Sequence, residues 1–456
     1  MCGILALFSK QLVNNLEFIR HLDKLQHRGQ DSCGIAYTNN ANKNVIEVQK
    51  KMGMVKQLYT HCKIVNSKTF IGHTRYTTSG QRINNTCNKS IHPIISSFNG
   101  NSYSFVFNGN IPFISSEFSM DTEYIQDYIF KKQSTNKVFR DVLLDFIRDV
   151  PRAFNIIFLY MGDIYAIRDV YGTRPFKLLK TKDDKRIYLS SEDYFLEEKS
   201  WINYDLPEGS LTIITPDLDI ETIPTIFEAP KFNTAHCVFE HIYFMNEKSM
   251  ADEFLVKDSR VKMGHLLANN EEIITENSVL DNFIVSSVPN TANTSAEVYA
   301  KTLGIEYSQF IRKNNNVSRT FIITDEGQRK NYSREKYILD ADIINGRDII
   351  LVDDSIVRGT TLKTLISLLG EFNPKSVHVR VTSPPITNTC NLGIDIPTKG
   401  ELIYNKFNDP EQLKEYLNVD SLKYLEIKDL KNIFNGKGMC MGCIDGDYNK
   451  NKDLEW

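Results

Sequence analysis

Two adjacent carboxylates at the end of an apolar run are the first chemistry the chain offers. Ile349 to Val352 are four consecutive apolar residues, suited to a short buried strand, and Asp353 and Asp354 follow at once. Ser355, Arg358, Gly359, Thr360 and Thr361 come next, ahead of an apolar stretch, 362–369, that reads as a helix. A strand, an acidic edge, a small-residue loop and a helix start can cradle a phosphate with backbone N–H groups and hydroxyls. The paired carboxylates suit ribose hydroxyls or a hard cation such as Mg²⁺. Two acids and a glycine alone would fit an ordinary strand-to-helix turn; the full run is more specific.

The second reactive residue lies near the start. Cys2 follows Met1, and loss of Met1 would leave a thiol and a free α-amino group on one residue. Such an amine titrates near ~8. Part of it is therefore neutral at physiological pH and able to act as base on the thiol, the N-terminal-nucleophile solution to activating a weak nucleophile. The competing reading is a buried cysteine that opens a strand.

Three further segments favour the nucleophile. Residues 25–32 read Leu-Gln-His-Arg-Gly-Gln-Asp-Ser, residues 70–80 Phe-Ile-Gly-His-Thr-Arg-Tyr-Thr-Thr-Ser-Gly, and residues 105–111 Phe-Val-Phe-Asn-Gly-Asn-Ile. With Cys2, and in this order, they resemble the class II glutamine amidotransferase domain. The run 349–361 resembles the phosphoribosylpyrophosphate (PRPP) signature of type I phosphoribosyltransferases, in the form found in glutamine PRPP amidotransferases. The resemblance to that family extends from Cys2 to about Tyr448.

The family implies an α+β and α/β chain. An N-terminal-nucleophile αββα sandwich over residues 2–230 precedes a phosphoribosyltransferase domain with a parallel sheet over 231–456. It also implies glutamine-dependent amination of PRPP to 5-phosphoribosylamine, the first committed step of purine synthesis. A free glutamine presents a carboxylate and an ammonium that need partners, for which Arg75 and Asp121 are suited. The Asn108 side chain and the Gly109 N–H can form an oxyanion hole around the Cys2 adduct. By resemblance Arg28 and Thr78 also touch glutamine, and Tyr76 is a candidate wall of a dry passage for ammonia. Asp353 and Asp354 would meet the ribose and Mg²⁺, Thr291 would help hold the metal, Ser355, Gly359, Thr360 and Thr361 would surround the 5′-phosphate, and Arg358 would bind substrate beside them. Lys313 and Arg319, in the loop expected to close over PRPP, can pair with pyrophosphate, and Arg334 and Lys336 align with basic family positions.

Cys440-Met-Gly-Cys443 could serve zinc or redox chemistry on its own. Cys237 and Cys390 match the cluster-bearing subgroup of the family, so the four thiols imply a 4Fe–4S cluster, with a four-cysteine zinc site as the alternative. Cys33, Cys62 and Cys87 read as ordinary thiols. The chain departs from the family where Ala-Arg-Pro-Asp-Ser becomes Met245-Asn-Glu-Lys-Ser249, and where an acidic residue becomes Asn290. Rival readings are a PRPP-binding regulatory protein without turnover, and a glutaminase that aminates another sugar phosphate.

The remaining features bound these readings. The 456 residues allow two or three domains, and 41% hydrophobic with 24% charged residues is a globular composition. A net charge of −3 gives no reason to expect nucleic acid or an anionic membrane as partner. No run approaches a membrane span and no targeting segment precedes Cys2, so a cytoplasmic protein is expected, with cysteines free of disulfides. The family implies a homo-oligomer inhibited by purine nucleotides. Residues 153–160 and 164–175, read as a hairpin and the turn after it, with the strand and turn material at 187–193 and 206–211, are expected to build the second sheet. Arg168 and Asp169 suit a structural ion pair, and the acidic, proline-containing stretch 217–230 suits the domain boundary.

Overall fold

The computed structural model describes residues 1–39, 42–76, 90–111, 118–196, 202–225, 234–275, 278–314, 336–396, 398–407 and 409–448. The first strand, Gly3–Asn14, shows why the first half is layered. Its side chains alternate. Ile4, Ala6 and Phe8 join one apolar cluster with Val106, Ile157 and Leu159, while Leu5 and Leu7 join another with Phe18, Ile19 and Leu22. A strand that is apolar on both faces must be covered on both. One cover is the helix Asn15–Lys24, and the other is a second sheet.

The first sheet runs Ile202–Asp205, Lys177–Lys180, Arg186–Ser190, Gly3–Asn14, Asn66–Arg75, Ser32–Thr38, Ile46–Met52. The second runs Ile220–Pro224, Ser210–Ile214, Asp163–Arg168, Ala153–Tyr160, Asn101–Asn110, Ile94–Phe98. On its outer face Ile156 and Phe158 pack on Ile125 and Ile129 of the helix Asp121–Lys132 and on Val142, Leu143 and Phe146 of Phe139–Asp149. The result is helix, sheet, sheet, helix. Two expectations need correction. Arg186–Ser190 belongs to the first sheet, beside Gly3–Asn14, because the chain crosses between layers after Arg168. The stretch proposed as boundary contains the strand Ile220–Pro224, paired with Ser210–Ile214. Alternating Ile220 and Thr222 suffice for an edge strand despite the acids.

In the second half five parallel strands are ordered Glu306–Tyr307, Phe283–Ser287, Asp348–Asp353, Ser376–Val381, Ser421–Tyr424. Ile350 and Val352 face one cluster with helix residues Met263, Ala296 and Tyr299; Ile349 and Leu351 face another with Leu362, Leu365 and Leu369. Helices on both faces leave the carboxyl ends of the strands as the open edge, where ligands bind in such sheets. Asp353 and Asp354 stand there. Among the described residues no helix is long and apolar enough to cross a membrane.

Candidate active site

Register brings the nucleophile's surroundings together. Gly3 pairs with Thr74 and Ile4 with His73, so Cys2 lies beside Arg75 and Tyr76 at the end of the sheet. Its backbone N–H donates to Asn108 Oδ1 at 3.1 Å, and its thiol donates to the Tyr76 carbonyl at 3.7 Å. Asn108 is buried, and among the described residues its Nδ2 has no hydrogen-bond partner. That is a donor held ready beside the sulfur. A Cβ on the next residue, Gly109, would fall 2.5 Å from Phe154 Cβ, so only glycine lets the strands approach here.

Burial alone would raise the Cys2 thiol. His73, and after it the N-terminal amine and the Tyr76 backbone, reverse this and bring it down to about 6. Asp121 opens the helix Asp121–Lys132. Burial raises its carboxyl to about 6, against the Ile111 N–H and Arg174, with Cys2 adding to the rise. Arg75 ends its strand half-buried, with Nη1 donating to Ser90 Oγ at 2.9 Å. Thr78 lies outside the described residues.

Arg28 does not take the expected place against substrate. It is wholly buried; Nε donates to the Cys2 carbonyl at 3.0 Å, Nη1 to Glu192 at 2.7 Å, and Nη2 to Glu240 at 2.7 Å. Its donors are taken up in holding the nucleophile's backbone and two carboxylates, one from each half of the chain. Glu192 also accepts from His27 at 2.8 Å, the Asn246 N–H at 2.9 Å and Ser249 Oγ at 2.7 Å. Arg168 and Asp169 do not pair with each other. Adjacent strand residues face opposite ways. Arg168 binds Asp252 at 2.9 Å, and Asp169 accepts the Tyr171 N–H at 2.9 Å.

At the phosphoribosyl end, Ser355 Oγ donates to Asp354 Oδ1 at 2.7 Å, and the Asp354 N–H to Asp353 Oδ1 at 2.9 Å. Burial, then the neighbouring carboxylate, lifts Asp353 well above the usual range; burial lifts Asp354 to about 6, against the pull of Ser355, Arg260 and Lys313. Gly359 has φ 72°, and a Cβ there would meet Ile403 Cδ1 at 2.2 Å; the helix Thr360–Gly370 starts next. Arg358 pairs with Glu401 at 3.4 Å, both side chains being exposed. Lys313 ends the strand Ile311–Lys313, beside Tyr337–Leu339. Arg319 and Arg334 lie outside the described residues.

A cleft of about 1230 Å³ extends from Tyr76 to the phosphoribosyl end. Its lining runs from His27, Gln30 and Tyr76 to Thr291, Lys313, Lys336, Asp353, Asp354 and residues 355–361. Tyr76 bridges the halves through a hydrogen bond from its hydroxyl to Asp395 at 3.3 Å. Sequence reading missed His73, Glu192, Glu240 and Asp395. Only His73 left a signal, since positions 71, 73 and 75 of a strand share one face.

Cys237, Cys390, Cys440 and Cys443 line a second, small cavity with Met1, Arg174 and Tyr448. Cys237 and Cys440 pair in two short parallel strands, and the Leu392 N–H donates to Cys390 Sγ at 3.3 Å. Burial raises all four thiols, Cys237 and Cys443 strongly. Glu208, His236 and Asp252 also converge within 4.8 Å, but Arg168 already supplies the cation there.

Residues 273–383 match the model of the phosphoribosyl transferase domain family. The chain is 32% identical over 461 residues to the amidophosphoribosyltransferase of Pyrococcus horikoshii, covering 98% of this chain and 96% of that protein. It is 30% identical over 489 residues to the human amidophosphoribosyltransferase, covering 95% and 92%. Among solved structures it is similar to the glutamine PRPP amidotransferase from B. subtilis complexed with ADP and GMP, with a TM-score of 0.84, 26% identity, and coverage of 98% and 97%.

Proposed function

The chain belongs to the amidophosphoribosyltransferase family, and from that premise we propose how its residues divide the reaction. The reaction is the glutamine-dependent amination of PRPP to 5-phosphoribosylamine, with release of glutamate and pyrophosphate, the first committed step of purine synthesis. The single observation that carries the division is the cleft that reaches from Tyr76, whose carbonyl accepts from the Cys2 thiol, to the paired aspartates.

The Cys2 thiolate attacks the glutamine amide. Asn108 Nδ2 and the Gly109 N–H receive the developing oxyanion, and Asp121 and Arg75 hold the ammonium and carboxylate of the substrate. Water then releases glutamate from the thioester. Ammonia crosses past Tyr76 and attacks C1 of PRPP, and pyrophosphate leaves with inversion. Ammonia is largely protonated in bulk water, which is the physical reason for keeping it inside the cleft. Ser355, Gly359, Thr360 and Thr361 hold the 5′-phosphate, and the positive charge of Lys313 and Arg319 pairs with pyrophosphate. Asp353 and Asp354 form an acidic pair whose ionisation burial opposes, which suits a cation. With Thr291 they would hold Mg²⁺, which would neutralise charge on the leaving pyrophosphate. Positioning and charge neutralisation carry this step.

Residues 2–230 form the glutaminase unit and 231–456 the transferase unit. Four thiols from three segments fit a 4Fe–4S cluster, which would clamp the C-terminal tail without redox work in turnover. Feedback by purine nucleotides, a homo-oligomer and a cytoplasmic location complete the proposal. Replacing Cys2 by Ala tests the division. Synthesis from glutamine should vanish while synthesis from ammonium salts persists. Loss of both in a folded variant would refute it.

A further inference from the structure

We propose that Arg260 grips the pyrophosphate of PRPP, donating through Nη1 to one of its oxygens. The inference rests on the reading of the cleft as the PRPP site and adds to it a residue that the sequence did not single out.

Arg260 lies on the helix Val256–Asn269 and is only 5% exposed, yet it lines the cleft. The other described cations of the cleft are exposed or half-buried. Nε donates to the His241 carbonyl at 3.0 Å and Nη2 to the Met245 carbonyl at 2.8 Å. Those two bonds fix the guanidinium plane and leave Nη1 without a hydrogen bond among the described residues. No carboxylate among them forms an ion pair with it.

A buried charge needs a partner. Most of the other buried arginines have a carboxylate: Arg28 holds Glu192 and Glu240, Arg168 holds Asp252, and Arg380 holds Glu271. Arg174 bonds the carbonyls of Ala153 and Leu392 instead, and it lines the four-cysteine cavity, where bound thiolates would be the anions. Arg260 has two carbonyls and an open cleft. Burial lowers its proton affinity, and Asp354, then Glu247 and Glu192, offset only part of that. An anion arriving in the cleft completes the pairing.

The helices decide which part of PRPP it meets. The Arg260 carbonyl accepts from Ser295 Oγ at 2.9 Å, and Ser295 is in the first turn of the helix Asn293–Leu303. One turn further on, a Cβ on Gly264 would fall 2.5 Å from the Ser295 oxygen, so the two helices touch. Arg260 is thereby pinned beside residues 288–291, the loop that carries Thr291 and lines the same cleft. The start of the helix Asn293–Leu303 adds its own positive end there. The residues read as holding the 5′-phosphate lead into a different helix, Thr360–Gly370. Asn290 is neutral where the family has an acid, so this loop offers a metal one carboxylate fewer and an anion one repulsion fewer. A planar guanidinium held by its other edge suits a phosphate oxygen.

The test is calorimetric titration of the full-length protein and of Arg260→Gln with inorganic pyrophosphate and, separately, with ribose 5-phosphate, Mg²⁺ being present throughout. In the variant the Kd for pyrophosphate should rise roughly 10–100-fold, the effect of one charged hydrogen bond, while that for ribose 5-phosphate stays within about twofold. Far-ultraviolet circular dichroism checks that the variant is folded. An unmoved Kd for pyrophosphate would overturn the proposal, and so would an equal loss for both ligands, which marks a structural arginine. Should the variant not fold, phenylglyoxal modification of the parent protein, read by mass spectrometry, decides: pyrophosphate should protect Arg260 and ribose 5-phosphate should not. Modification that pyrophosphate does not slow, or none in the free protein, overturns the proposal. A parent protein that binds neither ligand overturns the reading of the cleft itself, and this inference with it.

Discussion

Glu192→Gln probes the centre of the join between the halves. Glu192 is wholly buried and accepts from Arg28, His27, the Asn246 N–H and Ser249 Oγ. Burial by itself would raise its carboxyl; His27 and Arg28 outweigh that and hold it at about 2, against an ordinary 4.5. That gap corresponds to about 3 kcal/mol. The sign follows from a folded value below the unfolded one: the contribution is present above about 4.5 and is lost as pH falls toward about 2. Glutamine at this position keeps the shape but loses the charge and turns an N–H toward groups that themselves donate. Arg28 keeps Glu240, so no cation is left stranded. At pH 7 the variant should melt about 3 °C lower, taking about 1 °C per kcal/mol for a chain of this length. The deficit should narrow as pH is lowered through about 5 toward about 3. Scanning calorimetry of both proteins across that range measures this. A variant that melts within a degree of the parent at pH 7, or a deficit that widens in acid, would refute the account. Because Asn246 lines the cleft, the KM for PRPP should rise as well.

Other outcomes follow from the same geometry. Asn108→Ala should lower glutamine hydrolysis roughly 10²–10³-fold while ammonia-dependent synthesis is kept, as steady-state assays of both reactions would show. The KM for glutamine should climb as pH falls through about 6, where Asp121 takes up a proton and ceases to pair with the ammonium; Asp121→Asn should flatten that profile. Anaerobically purified protein should contain iron and acid-labile sulfide, both lost in Cys443→Ser. Stoichiometric zinc without a visible chromophore would refute the cluster.

Local order made much of the site legible. The run 349–361 is contiguous, and its strand, acids, loop and helix start fall where the residue types put them. Cys2, Asn108 and Gly109 were readable because each sits at a strand end in a short distinctive segment. What escaped depends on partners far along the chain. Arg28 meets Glu240 from 212 residues away, and nothing near either residue announces the other. An arginine beside a predicted active site therefore reads as a ligand for substrate until its partners are seen. Arg186–Ser190 went to the wrong sheet for a related reason, since alternation gives a strand its faces but not its neighbour. Arg168 and Asp169 failed by ignoring that alternation.

Gly393 shows how little the two catalytic units can be treated as interchangeable parts. With φ 93°, it leaves no room for a methyl, which would strike Arg174 Nη2 at 2.4 Å, Asn110 Cβ at 2.8 Å and the Gly109 oxygen at 3.2 Å. The few residues around it carry Cys390 of the four-cysteine cavity, the Tyr76 partner at 395, and part of the cleft wall at 394–396. A graft that exchanged the front end for another nitrogen donor would have to bring residues 387–396 along, or else redesign the seam.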